Sequence, residues 1–304
     1  MSGRRGIVLL NALVMVAAIS AVAAALLSRA ETSIARSTAH MRTTQLRLYL
    51  DATEHLVELL LEADADDNDI DHTGEVWARS DYDLPIDRGR AGGRIVDLQG
   101  RFNLNWLTDP EDNRARAAFR RLARAQGLSR TTTRGILQFL APGGPVNRAA
   151  YLNASVPVSP RGGPLRTMDR LRLVPGLTGP AHSRLADAAS VIPPDTALNV
   201  NTASEQVLAV FLPRAGQNAL RELVEERALT PFASVADFLE RAERRLGAGV
   251  IETLDPERLT VSSRWFEARL VVAIEESRLA RRLILSRSED DGTVALTLRV
   301  PVAQ

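Results

Sequence analysis

RRGIVLLNALVMVAAISAVAAALL, Arg4 to Leu27, decides how the rest of the chain is read. From Ile7 to Leu27 it carries no charge, about 21 residues and roughly 31 Å as a helix. That length matches the hydrocarbon core of a bilayer. Arg4 and Arg5 stand just before it, which keeps the N-terminus cytoplasmic and sends the remainder outward. An ordinary secretory signal has an apolar region of only about 7–15 residues. Neither Gly nor Pro occurs between Ile7 and Thr73, so nothing stops the helix where the membrane ends. Beyond Arg29 the run turns amphipathic, with Ile34, Met41, Leu46, Tyr49, Leu50, Ala52, Leu56, Leu59 and Leu60 largely three or four apart. The spacing predicts one helix over 7–62, roughly 80 Å long, whose second half alone packs on a globular body.

Composition narrows what that body does. A chain of 304 residues holds two modest domains, and its net charge of +1 gives no global field for a polyanion. Cysteine is absent, which removes disulfides and thiolate metal sites. The basic residues are all Arg, which reads as compositional bias. His40, His55, His72 and His182 show no zinc-ligand spacing. No nucleophile elbow, phosphate loop or dinucleotide fingerprint occurs, so an enzyme is not expected.

After the helix comes ADADDNDIDHTGEVWA, Ala63 to Ala78. It reads as a solvated acidic loop, or as a calcium site using Asp64, Asp66, Asp67, Asp69 and Asp71, since calcium prefers oxygen ligands. It lacks the Gly and Glu of an EF-hand. GRIVDLQGRFNLNWL, Gly93 to Leu107, begins as an alternating strand and turns at Gly100. From Thr108 to Glu257 the pattern is helical. Asp109 is the expected cap of a helix ended by Gly127, and a second helix ends at Pro142. Pro175-Gly176-Leu177 reads as a helix–hairpin–helix turn, and the Asn-x-Asn-Thr-Ala-Ser run from Asn199 reads as the cap of a further helical unit. The C-terminal stretches RLTVSS, RWFEARLVVAIEE, RLARRLILSRSE and VALTLRV read as four strands.

The junction Arg-Arg-Gly before Ile-Val-Leu-Leu resembles a type IV prepilin cleavage site. DLQGRFNLNWL and the upstream residues Asp71, His72, Glu75, Trp77 and Ala78 resemble segments of the type II secretion minor pseudopilin K family (GspK). The resemblance spans most of the chain. It implies that Gly6 ends the leader, that Ile7 is the first mature residue, and that a prepilin peptidase cuts between them in the inner membrane. It implies minor pseudopilins I and J as partners at the tip of a periplasmic pseudopilus, and it carries most of the calcium expectation. Most pilins have Glu at the fifth mature position; here Asn11 stands there, as a filament-packing residue without a carboxylate.

The expected fold class is α+β: a pilin-like helix on an antiparallel sheet, with a large helix–hairpin–helix insert. The expected division is a leader over 1–6, a membrane and packing helix over 7–28, helix end and first strands over 29–107, insert over 108–257 and C-terminal sheet over 258–304. The alternative function is a DNA-binding minor pilin of a competence system. Against it, 197–246 holds six Arg and seven acidic residues, and Arg214 replaces a turn glycine. In its favour, 107–196 has an excess of about seven positive charges.

Overall fold

In the computed structural model, helix α1 runs unbroken through Gly3–Asp67. The structure describes residues 3–79, 81–154 and 156–301, without the side chains of residues 3–9, 11 and 301. Strands β1 (Tyr82–Ile86), β2 (Gly89–Asp97) and β3 (Phe102–Asn103) follow, then helices α2 (Asn113–Ala125), α3 (Arg130–Leu140), α4 (Ala149–Leu152) and α5 (Gly179–Ala188). Next come β4 (Ala189–Ser190), β5 (Leu198–Asn199), and helices α6 (Glu205–Phe211), α7 (Gln217–Leu229), α8 (Val235–Leu246) and α9 (Ala248–Ile251). The chain ends with β6 (Leu259–Thr260), β7 (Trp265–Ile274), β8 (Ser277–Arg287) and β9 (Val294–Pro301).

The main sheet has the order β1-β2-β7-β8-β9 and is antiparallel throughout. In β7, Phe266, Ala268, Leu270, Val272 and Ile274 are buried, every second residue, as a one-faced strand requires. That face meets Leu46, Leu50, Val57 and Leu61 of α1, with Trp77 edge-on to Phe266 at 5.2 Å. Buried Glu54 on the same helix face takes ion pairs from Arg281 of β8 (2.5 Å) and Arg299 of β9. The packed face differs from the one expected. Ile34, Met41, Leu56 and Leu59 are exposed, and Ala52 points outward, while Val57 and Leu61 fill the core. The helix also extends to Asp67, so Ala63–Asp67 belongs to it and not to a loop, there being no breaker to end it sooner.

Between the paired neighbours β2 and β7 the chain departs to build a second body with its own core, from Phe102 to Leu254, to which Leu259 and Val261 are packed. Leu98 N–H donates to the Trp265 carbonyl at 2.9 Å, where the two connections cross the boundary. Phe102, Leu104, Trp106 and Leu107 lie in this core, so it begins before Thr108 and closes after Glu257. RLTVSS contributes only β6, a two-residue parallel pairing with β5, and is not a strand of the main sheet. Asp112, not Asp109, caps α2, accepting from Ala115 N–H at 2.8 Å. Gly127 does end α2, at φ +73°.

Candidate functional site

The acidic stretch after the membrane-length helix is partly dismantled by the fold. Asp66, Asp67 and Asp69 are exposed, whereas Asp64 and Asp71 turn inward and meet Glu75. One donor oxygen from each of these three lies within 4.8 Å of the others. Glu75, not among the residues expected to hold a cation, is positioned by accepting from His72 N–H at 3.0 Å and Trp77 Nε1–H at 2.6 Å. Its visible signal was the four-residue step from Asp71, with a Trp two residues on.

One guanidinium faces the three carboxylates. Arg287 of β8 donates to Asp64 Oδ2 at 3.1 Å, to Asp71 Oδ2, and to the Ser263 carbonyl at 2.8 Å, its plane 5.0 Å over the Phe266 ring. Burial, then the charges of Glu75 and Asp71, pushes the Asp64 carboxyl up to about 7 despite Arg287. Burial also raises Glu75, and burial lowers His72 against the opposing charge of Asp71. Asp71 Oδ1 and Glu75 Oε1 are buried without a hydrogen bond; His72 Nε2 stands 3.5 Å from the latter. Three carboxylates against one guanidinium and two orphaned oxygens form a donor set that fits a hard divalent cation such as calcium.

A polar seam continues from this cluster between the two bodies. Asp97 is buried and accepts from Gln99 N–H (2.7 Å), Ser263 Oγ–H (2.7 Å) and Thr202 Oγ1–H. Asn199 donates to the Asp71 carbonyl at 3.1 Å and to Ser263 Oγ at 2.8 Å. Asn201 and Phe232 exchange two backbone-like hydrogen bonds at 2.9 Å each. Asn105 likewise exchanges two with Leu165 and donates a third to the Ile192 carbonyl. The Asn-rich stretches therefore act as buried surrogates for backbone. The α6 cap is Ser204 alone, accepting from Val207 N–H, and Asn199 and Asn201 are not caps. At Gly100 an added Cβ would stand 2.8 Å from the Thr202 backbone, which only glycine permits at this close approach.

The Pro175-Gly176 turn is closed against the protein, its Gly176 carbonyl receiving Thr132 Oγ1–H at 3.3 Å. It joins a 3-10 helix, Met168–Leu173, to α5. Arg245 of α8 bridges Glu222 (3.1 Å) and Glu226 (2.7 Å) of α7, so that face is neutralised.

The first half of α1 has the opposite character. It contains a stretch of mean hydropathy 2.0, long enough to cross a membrane and unburied by the rest of the protein. Leu13, Val16, Ile19 and Leu26 are each about three-fifths exposed or more. Gly6, Ile7 and Asn11 fall in the helix backbone, and their side chains lie outside the described residues.

A membrane-length helix continuing onto an antiparallel sheet, with a helical body inserted between two paired strands, defines a pilin-like subunit carrying an insert. Two models for the type II secretion system protein K match residues 100–194 and 198–262, together more than half of the chain. The chain belongs to that family. It is 28% identical to the type II secretion system protein K of Pseudomonas aeruginosa over 95% of this chain and 90% of the relative. It is 25% identical to that of Aeromonas hydrophila over 96% and 95%. A crystal structure of the GspK-GspI-GspJ complex from enterotoxigenic Escherichia coli matches at a TM-score of 0.75 and 19% identity, over 88% of this chain and all of that one.

Proposed function

We propose that this protein is a minor pseudopilin that caps or initiates a periplasmic pseudopilus, anchored in the inner membrane beforehand by α1. The observation that carries the reading is the continuity of α1: one half unburied and apolar, the other clamped to the sheet. Lipid covers the apolar half before assembly, and neighbouring helices cover it afterwards. The role is structural rather than enzymatic. Minor pseudopilins I and J are its partners, in keeping with the complex in which the similar chain is found. The insert adds a second body above the sheet, which blocks a further subunit from stacking there, and Asn11 offers no carboxylate to a neighbour's N-terminal amine. Calcium at Asp64, Asp71 and Glu75 belongs to the same proposal, supported by the orphaned oxygens of Asp71 and Glu75.

Leader removal is the first test. Co-expressed with a prepilin peptidase, the wild type gives a mature band shortened by six residues, and a bulky Gly6 variant stays as precursor. Equal processing of both sinks the site, and a cut near Ala23–Ala30 makes the run an ordinary signal. Co-purification of the region after Arg29 with minor pseudopilins I and J tests the assembly. Its absence removes the tip assignment.

A further inference from the structure

The first half of the insert carries charge that the fold does not use. Between Asn113 and Met168 there are ten Arg and no Asp or Glu. Five of those arginines line one cavity of about 570 Å³ between α2 and α3: Arg116, Arg120 and Arg124 on one wall, Arg130 and Arg134 on the other. The first three recur every fourth residue, a stripe about 12 Å long, and the other two repeat that spacing. Like charges four apart on a helix repel. Arg130 also opens α3, where the helix macrodipole disfavours a cation. Among the described residues none of the five guanidinium groups makes a hydrogen bond or ion pair, and the cavity has no carboxylate in its lining. Arg116 Nη1 is buried there without an acceptor, although buried guanidinium nitrogens are ordinarily satisfied. Other arginines of the insert do find acids, as Arg244 finds Glu240, Arg245 finds Glu226 and Arg258 finds Asp112.

We propose that the groove between α2 and α3 is a docking site for an acidic polypeptide segment. Charge complementarity selects an anion, and the paired guanidinium walls suit carboxylates, which they grip in a bidentate way. Leu128 and Leu137 also line the groove and give the stems of Glu side chains an apolar surface. No aromatic ring lines it, so bases would find no stacking platform, which disfavours a single-stranded nucleic acid. The groove is lined by residues of the insert alone.

The test uses the full chain in a nonionic detergent and a fluorescein-labelled hexaglutamate peptide, followed by anisotropy. Binding is expected at low ionic strength, weakening as salt shortens the screening length. The pair Arg120→Gln with Arg134→Gln is expected to weaken it about tenfold or more, two charge-assisted contacts being removed. The pair Arg244→Gln with Arg245→Gln, away from the groove, is expected to leave it unchanged. All four side chains are on the surface, and circular dichroism checks the fold; if a double variant does not fold, the single variants carry the comparison. No binding by the wild type overturns the proposal, as does an equal loss in the control pair. Tighter binding of a duplex oligonucleotide through the same two arginines makes the groove a nucleic-acid site instead, and displacement by millimolar inorganic phosphate makes it a small-oxyanion site.

Discussion

Asp97 is buried at the seam, and among the described residues no cation touches it. Desolvation pushes its carboxyl up to about 6, against hydrogen bonds from Thr202, Ser263 and Gln99 that pull the other way. The folded protein thus holds this proton more tightly than the unfolded chain, where the ordinary value is 3.8. Its contribution to stability is fully present below about pH 4 and is lost as pH rises through about 6. The difference is on the order of 2–3 kcal/mol. Asp97→Asn keeps an acceptor for Gln99 and removes the titration, so the variant should gain on the wild type between pH 4 and pH 7 in denaturant unfolding. A stability gap that does not change with pH refutes the assignment. Glu75 allows a second test at this scale. If Asp64, Asp71 and Glu75 bind calcium at a micromolar site, millimolar calcium stabilises the region after Arg29 by about 4 kcal/mol. Glu75→Gln retains an acceptor for Trp77 but removes a donor charge, and should abolish most of that gain. A melting temperature indifferent to calcium and chelator in the wild type ends the metal proposal.

Helix α1 shows which features of an element can be read locally. Its continuity follows from the lack of Gly and Pro, and its apolar first half from composition, both of which are properties of the chain alone. Which later residues are buried depends on where the sheet lies, and that is set by β7 and β8 some 200 residues away in sequence. Burial of apolar side chains therefore begins only at Leu46, and Ile34 and Met41 stay exposed although their spacing is amphipathic. Leu50→Ala should cost about 2–5 kcal/mol in unfolding of the region after Arg29, as a buried truncation does. Ile34→Ala should cost less than about 0.5 kcal/mol. Equal effects would mean that the helix packs on a different face. Strand β1 is not legible in the sequence because Pro85 disguises an edge strand, a position where its missing donor is harmless. The run from Asn199 does cap α6, through Ser204, but the part its asparagines play is not local. Asn199 becomes a buried bridge only through the approach of Asp71 and Ser263, from distant parts of the chain. Glu75 is not marked as a cation ligand by its sequence neighbours, since Asp64 and Arg287 come near it only through the fold.

At the scale of the whole molecule, among the described residues the core beneath the sheet contains none of the insert, and the insert's core contains none of α1. Polar contacts bridge the two bodies: Asp71, Asp97, Gln99, Asn199 and Ser263, with Arg282 of β8 reaching Asp169 at 2.9 Å. The two crossings are adjacent, because β2 and β7 are paired neighbours in which Asp97 stands opposite Phe266. Replacing residues 100–262 by a short flexible linker should therefore leave a hairpin between β2 and β7 and a sheet that still folds on α1. The excised form should melt lower than the intact protein, since Asp97 loses Thr202 and the Asp71 carbonyl loses Asn199. In the cell it should still insert in the membrane through α1, yet fail to terminate growth at the tip, giving longer or more numerous pseudopili. Far-ultraviolet circular dichroism and electron microscopy of over-expressing cells read the two halves of this expectation. An unfolded excision product shows that the bodies depend on each other. A folded one with unchanged filaments shows that the insert is not what stops the next subunit.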